Sequence, residues 1–262
     1  MIIDKTYLVA GGDLRQLYLA KALARQGNKV YIVCFDEAFE LDKRLIPVDQ
    51  PSQITERLDC IILPLPVTND GVTVNTPLSK KYLGLEAVLQ KADSSTVIFG
   101  GKIEKPFQTL CNDRGLEVVD YLEREELAVL NAIPTAEGAL EILMQELPTT
   151  LFGTKCLITG FGRISKVLAK YLTALGVTVT IAARKYSDLA WAKVYGCEGI
   201  HISRMAEVAG NFDYIVNTVP AKLFDHGVLS KLKDRCLVLD LASKPGGAGN
   251  GDKKRMGCIW LW

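Results

Sequence analysis

The chain has 262 residues, enough for one large or two ordinary domains, and its 48% apolar and 23% charged residues suit a buried core and exclude a disordered chain. A net charge of +1, with acidic and basic residues intermixed, argues against nucleic acid as the partner, because such binding leaves a clustered basic footprint. No uncharged apolar run approaches the roughly 20 residues that span a bilayer, and Met1-Ile-Ile-Asp-Lys5 has no signal-peptide layout, so the expected location is the cytoplasm.

Short apolar runs alternate with segments of helical period from the start. The first half predicts strand Thr6–Ala10, helix Leu14–Gln26, strands Lys29–Phe35 and Cys60–Leu65, helix Leu83–Lys91, strand Thr96–Gly100, helix Pro106–Arg114 and strand Leu116–Asp120. The strands are nearly continuous in Val, Ile and Leu, the pattern of a parallel sheet covered on both faces. Glu123–Asn131 and Thr135–Leu147 then read as two helices broken at Pro134, with Thr135 as N-cap of the second. The rhythm restarts with strand Lys155–Thr159, helix Ile164–Leu175, strand Val177–Ala182 and helix Asp188–Tyr195. Short strands follow at Ile200–Ile202, Tyr214–Val219, Cys236–Leu241 and Cys258–Leu261. The glycine-dense run from Lys244 to Asp252 is expected to be a loop.

Seven cysteines are scattered along the chain, none in a C-x-x-C pair and none spaced with a histidine as a zinc site requires. Most lie in or beside apolar strands, where cysteine acts as a small hydrophobe. No metal site and no disulfide framework is expected. No catalytic constellation emerges either: His201 falls in a short strand and His226 heads a helix, positions that more often serve structure.

The strongest chemical signal is Gly160-Phe161-Gly162-Arg163-Ile164-Ser165, between an apolar strand and an amphipathic helix. In such a strand–turn–helix the first glycine permits the tight turn and the second lets the backbone approach a pyrophosphate. The helix head then offers free N–H groups and the positive end of its dipole. The third glycine of the motif is replaced by Ser165. The alternative is an ordinary βα turn that binds nothing. The next strand ends in Arg184-Lys185-Tyr186-Ser187, where NAD binders usually carry an acid for the ribose 2′-hydroxyl. A basic residue suits a 2′-phosphate instead, which favours NADP over NAD; the alternative is a solvated surface arginine. Two further strand ends, Asn217-Thr218-Val219-Pro220 and Asp240-Leu-Ala242-Ser243, fall where a bound nucleotide would lie, or are plain strand-ending turns. In the first half, Gly11-Gly12-Asp13 precedes a helix without the dinucleotide spacing. Arg15 and Gln16 there are candidates to grip a substrate carboxylate, against a plain Asp13-capped helix with a solvated Arg15.

The fold class expected is therefore α/β, with two open parallel-sheet domains: a flavodoxin- or Rossmann-like one at residues 1–133 and an NAD(P)-binding Rossmann domain at residues 134–262.

The chain resembles the A subunit of bacterial dipicolinate synthases. The likeness is carried by Gly11-Gly-Asp-Leu-Arg-Gln16, Leu63-Pro-Leu-Pro-Val-Thr-Asn-Asp-Gly71, Asp120-Tyr-Leu-Glu-Arg-Glu-Glu126, Asn131-Ala-Ile-Pro-Thr-Ala-Glu-Gly138, Gly160-Phe-Gly-Arg163 and Asp240-Leu-Ala-Ser-Lys-Pro-Gly-Gly247. The resemblance implies NADP-dependent oxidation of dihydrodipicolinate, drawn from the tetrahydrodipicolinate branch of lysine synthesis, to the dipicolinate stored in endospores. It implies that the partner is a flavoprotein-like B subunit, with a cyclic dicarboxylate as substrate, and leaves the catalytic base and any homo-oligomer open. Family members continue past the Pro-Gly-Gly loop by several tens of residues, so the end at Trp262 predicts a shortened C-terminus. The competing readings are a 2-hydroxy-acid or alanine dehydrogenase-like enzyme and a non-catalytic NADP-binding regulatory subunit.

Overall fold

The computed structural model describes residues 4–36, 41–243 and 246–247. The expected strand Cys258–Leu261 and most of the glycine-dense loop lie outside these residues. The chain forms two compact units that part between Leu127 and Ala128.

The first unit is built on a parallel sheet of β1 (Thr6–Ala10), β2 (Lys29–Val33), β3 (Leu45–Pro47), β4 (Cys60–Ile62), β5 (Val97–Gly100) and β6 (Glu117–Asp120). Their order is β3-β2-β1-β4-β5-β6, so the chain reverses direction across the sheet between β1 and β4. Side chains alternate between two cores, as the two-residue period of a strand dictates. Leu8, Ala10, Ile61, Leu63 and Ile98 enter one; Tyr7, Val9, Ile32 and Ile62 enter the other, under α1 (Leu14–Arg25). Helices α2 (Leu85–Leu89) and α3 (Lys105–Asp113) cover the first face through Leu85, Val88, Leu89, Phe107 and Cys111.

Several strands end earlier than their apolar runs suggest. β2 stops at Val33 because Cys34 turns to φ 64°, outside the extended region. β4 stops at Ile62, before the prolines at 64 and 66. The short edge strand β3 was not expected. It is three residues long and ends in Pro47, which an edge tolerates because one side needs no N–H.

The expected break at Pro134 does not occur. Helix α4 (Glu125–Glu146) runs through it, and Thr135 is an interior residue rather than an N-cap. Its hydroxyl donates to the Asn131 carbonyl at 2.9 Å, beside the bond that proline cannot make. Ala132, Ala136, Ala139 and Leu143 recur at helical spacing and are buried, the last three in the core of the second unit. Burial of that stripe outweighs one missing backbone hydrogen bond.

The second unit holds β7 (Lys155–Thr159), α5 (Arg163–Ala174), β8 (Thr178–Ala183), α6 (Tyr186–Val194), β9 (Glu198–His201), α7 (Met205–Val208), β10 (Tyr214–Asn217), α8 (His226–Leu229) and β11 (Leu237–Asp240). The parallel order β11-β10-β7-β8-β9 repeats the reversal of the first unit, here between β7 and β10. Cys156, Ile158, Ile181, Val216 and Leu239 pack under α4 and α5; Leu157, Ala182, Ile215 and Val238 pack under α7 and α8. The six described cysteines are free thiols, five of them buried. Burial pushes the Cys111 thiol up to about 11, so it stays protonated at neutral pH.

Candidate functional site

The turn from β7 into α5 lies at the reversal point of the second sheet, where open parallel sheets bind ligands. Gly160 sits at φ 82°, and its amide donates to the Ala182 carbonyl at 2.8 Å, joining the turn to β8. A Cβ there would stand 2.8 Å from Val219 Cγ2 and 3.0 Å from Thr218 Oγ1, so only glycine fits. Gly162 is different. Its backbone is ordinary and extended (φ −82°, ψ −165°), and a Cβ on it would meet nothing within 4 Å. Gly162 is the N-cap of α5 yet supplies no side chain to close it. Among the described residues, no acceptor takes the amides of Phe161 and Gly162. The helix head is thus open and carries the positive end of a twelve-residue helix, a seat that fits a diphosphate.

The rest of the motif is structural. Phe161 buries its ring in the core against Tyr195, at 5.4 Å and nearly perpendicular, so only its backbone faces the turn. Ser165, in place of the third glycine, is fully buried and lies 2.8 Å from Thr218 Oγ1. Thr218 spends its own proton on the Thr159 carbonyl at 2.8 Å, so Ser165 is the donor between them. The serine therefore ties the first turn of α5 to the end of β10, and the Thr218 hydroxyl is already engaged. Ile164 is half-buried beside them, and Arg163 is exposed.

A buried polar cluster shapes the neighbouring strand ends. Asn217 is fully buried, and its Nδ2 donates to Asp240 Oδ1 at 2.7 Å and to the Val219 carbonyl at 3.1 Å. Its Oδ1 accepts from Thr159 Oγ1 and from the Val219 amide. Asp240 in turn accepts from the Ala242 amide at 3.1 Å and the Gly247 amide at 2.8 Å. Thr159, Asn217 and Asp240 end β7, β10 and β11, and they are cross-strand partners in register. One side-chain chain thus fixes three strand ends and the turns Thr218-Val219-Pro220 and Ala242-Ser243. Pro220 and Ser243 stay exposed at that edge, whereas Ala242 is buried. Sequence reasoning named the turns and passed over this cluster; its one signal was polar residues closing apolar strands.

At the end of β8, Arg184, Lys185 and Ser187 are exposed, and among the described residues no carboxylate pairs with Arg184 or Lys185. Two neighbouring cations without counter-charge suit an anionic ligand.

The corresponding turn of the first unit is closed. Gly11 and Gly12 donate to the carbonyls of Val33 and Asn75 at 3.0 and 2.9 Å. Asp13 caps α1 by accepting from Arg15 N at 2.9 Å, and Gln16 Oε1 accepts from Asp13 N at 3.1 Å. A carboxylate thus occupies the seat that Gly162 leaves empty in the second unit. Arg15 places Nε and Nη2 on Asp13, at 3.0 and 2.8 Å, which holds the Asp13 carboxyl below the usual range; among the described residues Nη1 has no hydrogen-bond partner. Gln16 is buried and bonds Tyr121, whose hydroxyl is pushed up to about 12 by burial and donates to the Leu63 carbonyl. A cavity of about 450 Å³ in this unit is lined by Asn69, Asn75, Thr76, Lys80, Lys81 and Tyr82. No residue pattern pointed to it, because Asn75-Thr-Pro-Leu-Ser-Lys-Lys81 reads as an ordinary polar loop. Among the described residues, no three His, Cys, Asp or Glu side chains gather as a metal site would need.

An open glycine turn at the reversal point of a Rossmann-ordered sheet, joined to a second α/β unit, defines a dehydrogenase-class protein that binds a pyridine nucleotide. Residues 137–242 match the NAD-binding domain of the D-isomer specific 2-hydroxyacid dehydrogenases, and residues 6–122 match the N-terminal domain of the dipicolinate synthase A subunit. The dipicolinate synthase A subunit of Bacillus subtilis is 30% identical over 248 residues, covering 94% of this chain and 84% of that protein. The chain belongs to the family of dipicolinate synthase A subunits. The crystal structure of the Bacillus subtilis protein superposes with a TM-score of 0.88 at 29% identity, covering all of this chain and 88% of that one. The crystal structure of the Bacillus halodurans A subunit gives 0.89 at 29% identity, covering all of this chain and 90% of that one. A transhydrogenase from Sinorhizobium meliloti shares the fold alone, with a TM-score of 0.64 at 14% identity and coverage of 98% and 85%.

Proposed function

We propose that the chain oxidises dihydrodipicolinate to dipicolinate with NADP, as the A subunit of a two-subunit dipicolinate synthase in the cytoplasm of an endospore-forming bacterium. The observation that carries the reading is the open head of α5, with Gly162 uncapped and its Cβ position clear. NADP, when bound, supplies the hydride acceptor. The dihydro ring gives up one hydride and one proton and becomes aromatic, so the reaction is strongly downhill. The protein's task is to hold the ring and exclude water.

In this reading the amides of Phe161, Gly162 and Ile164 seat the diphosphate, with Gly160 and Arg163 shaping the turn. Arg184, Lys185 and Ser187 take the ribose 2′-phosphate. Thr218, Val219, Pro220, Ala242 and Ser243 border the nucleotide along the strand ends. In the first unit, Arg15 through its remaining Nη1 edge, with Gln16 behind it, is the first contact for a ring carboxylate. The partner is the flavoprotein-like B subunit implied by the family.

The test is a titration of NADPH against NADH, repeated with Arg184→Glu, followed by an assay of NADPH formation from a tetrahydrodipicolinate precursor in the presence of the B subunit. NADPH should bind more tightly, and the substitution should reverse the preference by roughly tenfold or more, the scale of a charge-assisted contact. Equal affinities before and after the exchange overturn the cofactor assignment. Binding without turnover, with precursor and B subunit both present, overturns the catalytic role in favour of a regulatory one.

A further inference from the structure

The sheet register sets Ala183, the last residue of β8, opposite His201, the last residue of β9. The chain then turns through Arg184 and Lys185, and the Tyr186 ring lies over the imidazole of His201, centroids 5.7 Å apart and planes 27° apart. Tyr186 is 78% exposed, so this ring is not there to fill a core. The imidazole is fixed as well. Its Nδ1 accepts from the Ser203 amide and lies 2.7 Å from Ser203 Oγ. A ring nitrogen that accepts a backbone N–H carries no proton, so the neutral ring bears its proton on Nε2. Nε2–H is therefore a pre-oriented donor, and among the described residues nothing accepts from it.

Arg184 and Lys185 have no carboxylate partner among the described residues, whereas Arg15, Arg44, Arg114 and Arg204 each pair with one. A fixed N–H, a guanidinium and an ammonium at one sheet edge match the three terminal oxygens of a phosphate monoester.

The geometry points to His201 as a specificity-determining residue that binds the 2′-phosphate of a 2′-phosphorylated adenosine together with Arg184 and Lys185, its ring held by Tyr186. This rests on the NADP reading above and adds a residue that the sequence assigns to structure. A ribose with a free 2′-hydroxyl does not reach this donor set, so His201 acts on the difference between the two cofactors.

The test uses the full chain and four probes: NADPH, NADH, 2′,5′-ADP and 5′-AMP. His201→Ala should weaken NADPH and 2′,5′-ADP by roughly tenfold, the worth of one hydrogen bond to a charged group, and leave NADH and 5′-AMP within about twofold. His201→Gln, which keeps an N–H donor, should recover most of the loss, and Tyr186→Phe, which keeps the stacked ring, should bind as the parent does. Unchanged NADPH affinity in His201→Ala, or an equal loss for all four probes, overturns the inference. If the parent chain itself binds NADH as tightly as NADPH, the cofactor reading fails instead. The parent's ratio tests that reading, and the change in ratio tests His201.

Discussion

Gly160 and Gly162 sit two residues apart in one turn with different backbones and different space around them, a difference that a pair of alanine substitutions separates. In Gly160→Ala the residue is held at φ 82°, which costs a non-glycine residue roughly 1–2 kcal/mol. The new methyl also presses on Thr218 Oγ1 and Val219 Cγ2, at 3.0 and 2.8 Å. Moving Thr218 breaks its bonds to the Thr159 carbonyl and to Ser165, each worth about 0.5–1.5 kcal/mol net. Against this, alanine restricts the unfolded chain by about 0.4–1 kcal/mol. The balance is a loss of about 2–4 kcal/mol. In Gly162→Ala the backbone is ordinary and the methyl enters empty space, so stability should change by less than about 1 kcal/mol.

Nucleotide affinity should follow the reverse pattern. The Gly162 methyl stands where the diphosphate must approach the helix head, and NADPH binding should fall at least tenfold in a chain as stable as the parent. Urea unfolding followed by circular dichroism gives the stabilities, and fluorescence titration gives the affinities. If Gly162→Ala keeps parental affinity, the seat is not at the head of α5. If it loses as much stability as Gly160→Ala, the space around it is not open.

Three further outcomes follow from the same contacts. Gly162→Asp recreates the cap that Asp13 gives α1, so it should add roughly a few tenths of a kcal/mol of stability and abolish NADPH binding; retained binding in a calorimetric titration would refute the seat. Asn217→Ala strips partners from buried Asp240 and Thr159 and should cost about 2–4 kcal/mol in urea unfolding, a loss under about 1 kcal/mol contradicting the cluster. Asp13 has its pKa lowered mainly by the Arg15 side chain, so its stabilising contribution is full above the ordinary carboxylate value near about 4 and is lost as pH falls through the lower folded value. The urea midpoint of the parent should therefore drop more steeply below pH about 4 than that of Asp13→Asn, and parallel curves would remove the pairing from the acid response.

What the sequence displayed and what it hid divides along contact distance. β1 and β7 fall where their apolar runs place them, because each is an interior strand with side chains buried on both faces. The strand–glycine–helix turn was legible for the same reason: its chemistry is contained in six consecutive residues. In the sequence Ser165 is only a replacement for the third glycine of the motif, because its partner Thr218 lies 53 residues away and no local pattern joins them. The Asn217–Asp240 bond spans 23 residues and was equally invisible. Pro134 misled in the other direction. A local rule said break, while Ala136, Ala139 and Leu143 gained more by continuing the helix onto the second core.

The two units share a strand order and a glycine turn at the same reversal point, yet among the described residues only one leaves the head of the following helix without a side-chain cap. The difference lies in where the backbone amides go. In the first unit Val33, Asn75, Asp13 and Gln16 consume them, and a negative side chain already occupies the positive end of α1. In the second, the N-cap has no side chain, and the polar groups that could have closed it are drawn away: Thr218 to Thr159, Ser165 to Thr218, Asn217 to Asp240. Each of those bonds turns a hydroxyl or amide inward, toward the ends of the strands. Among the described residues the head of α5 is thus kept open by neighbours that bond one another, whereas the head of α1 is filled by Asp13 and Gln16 of its own turn.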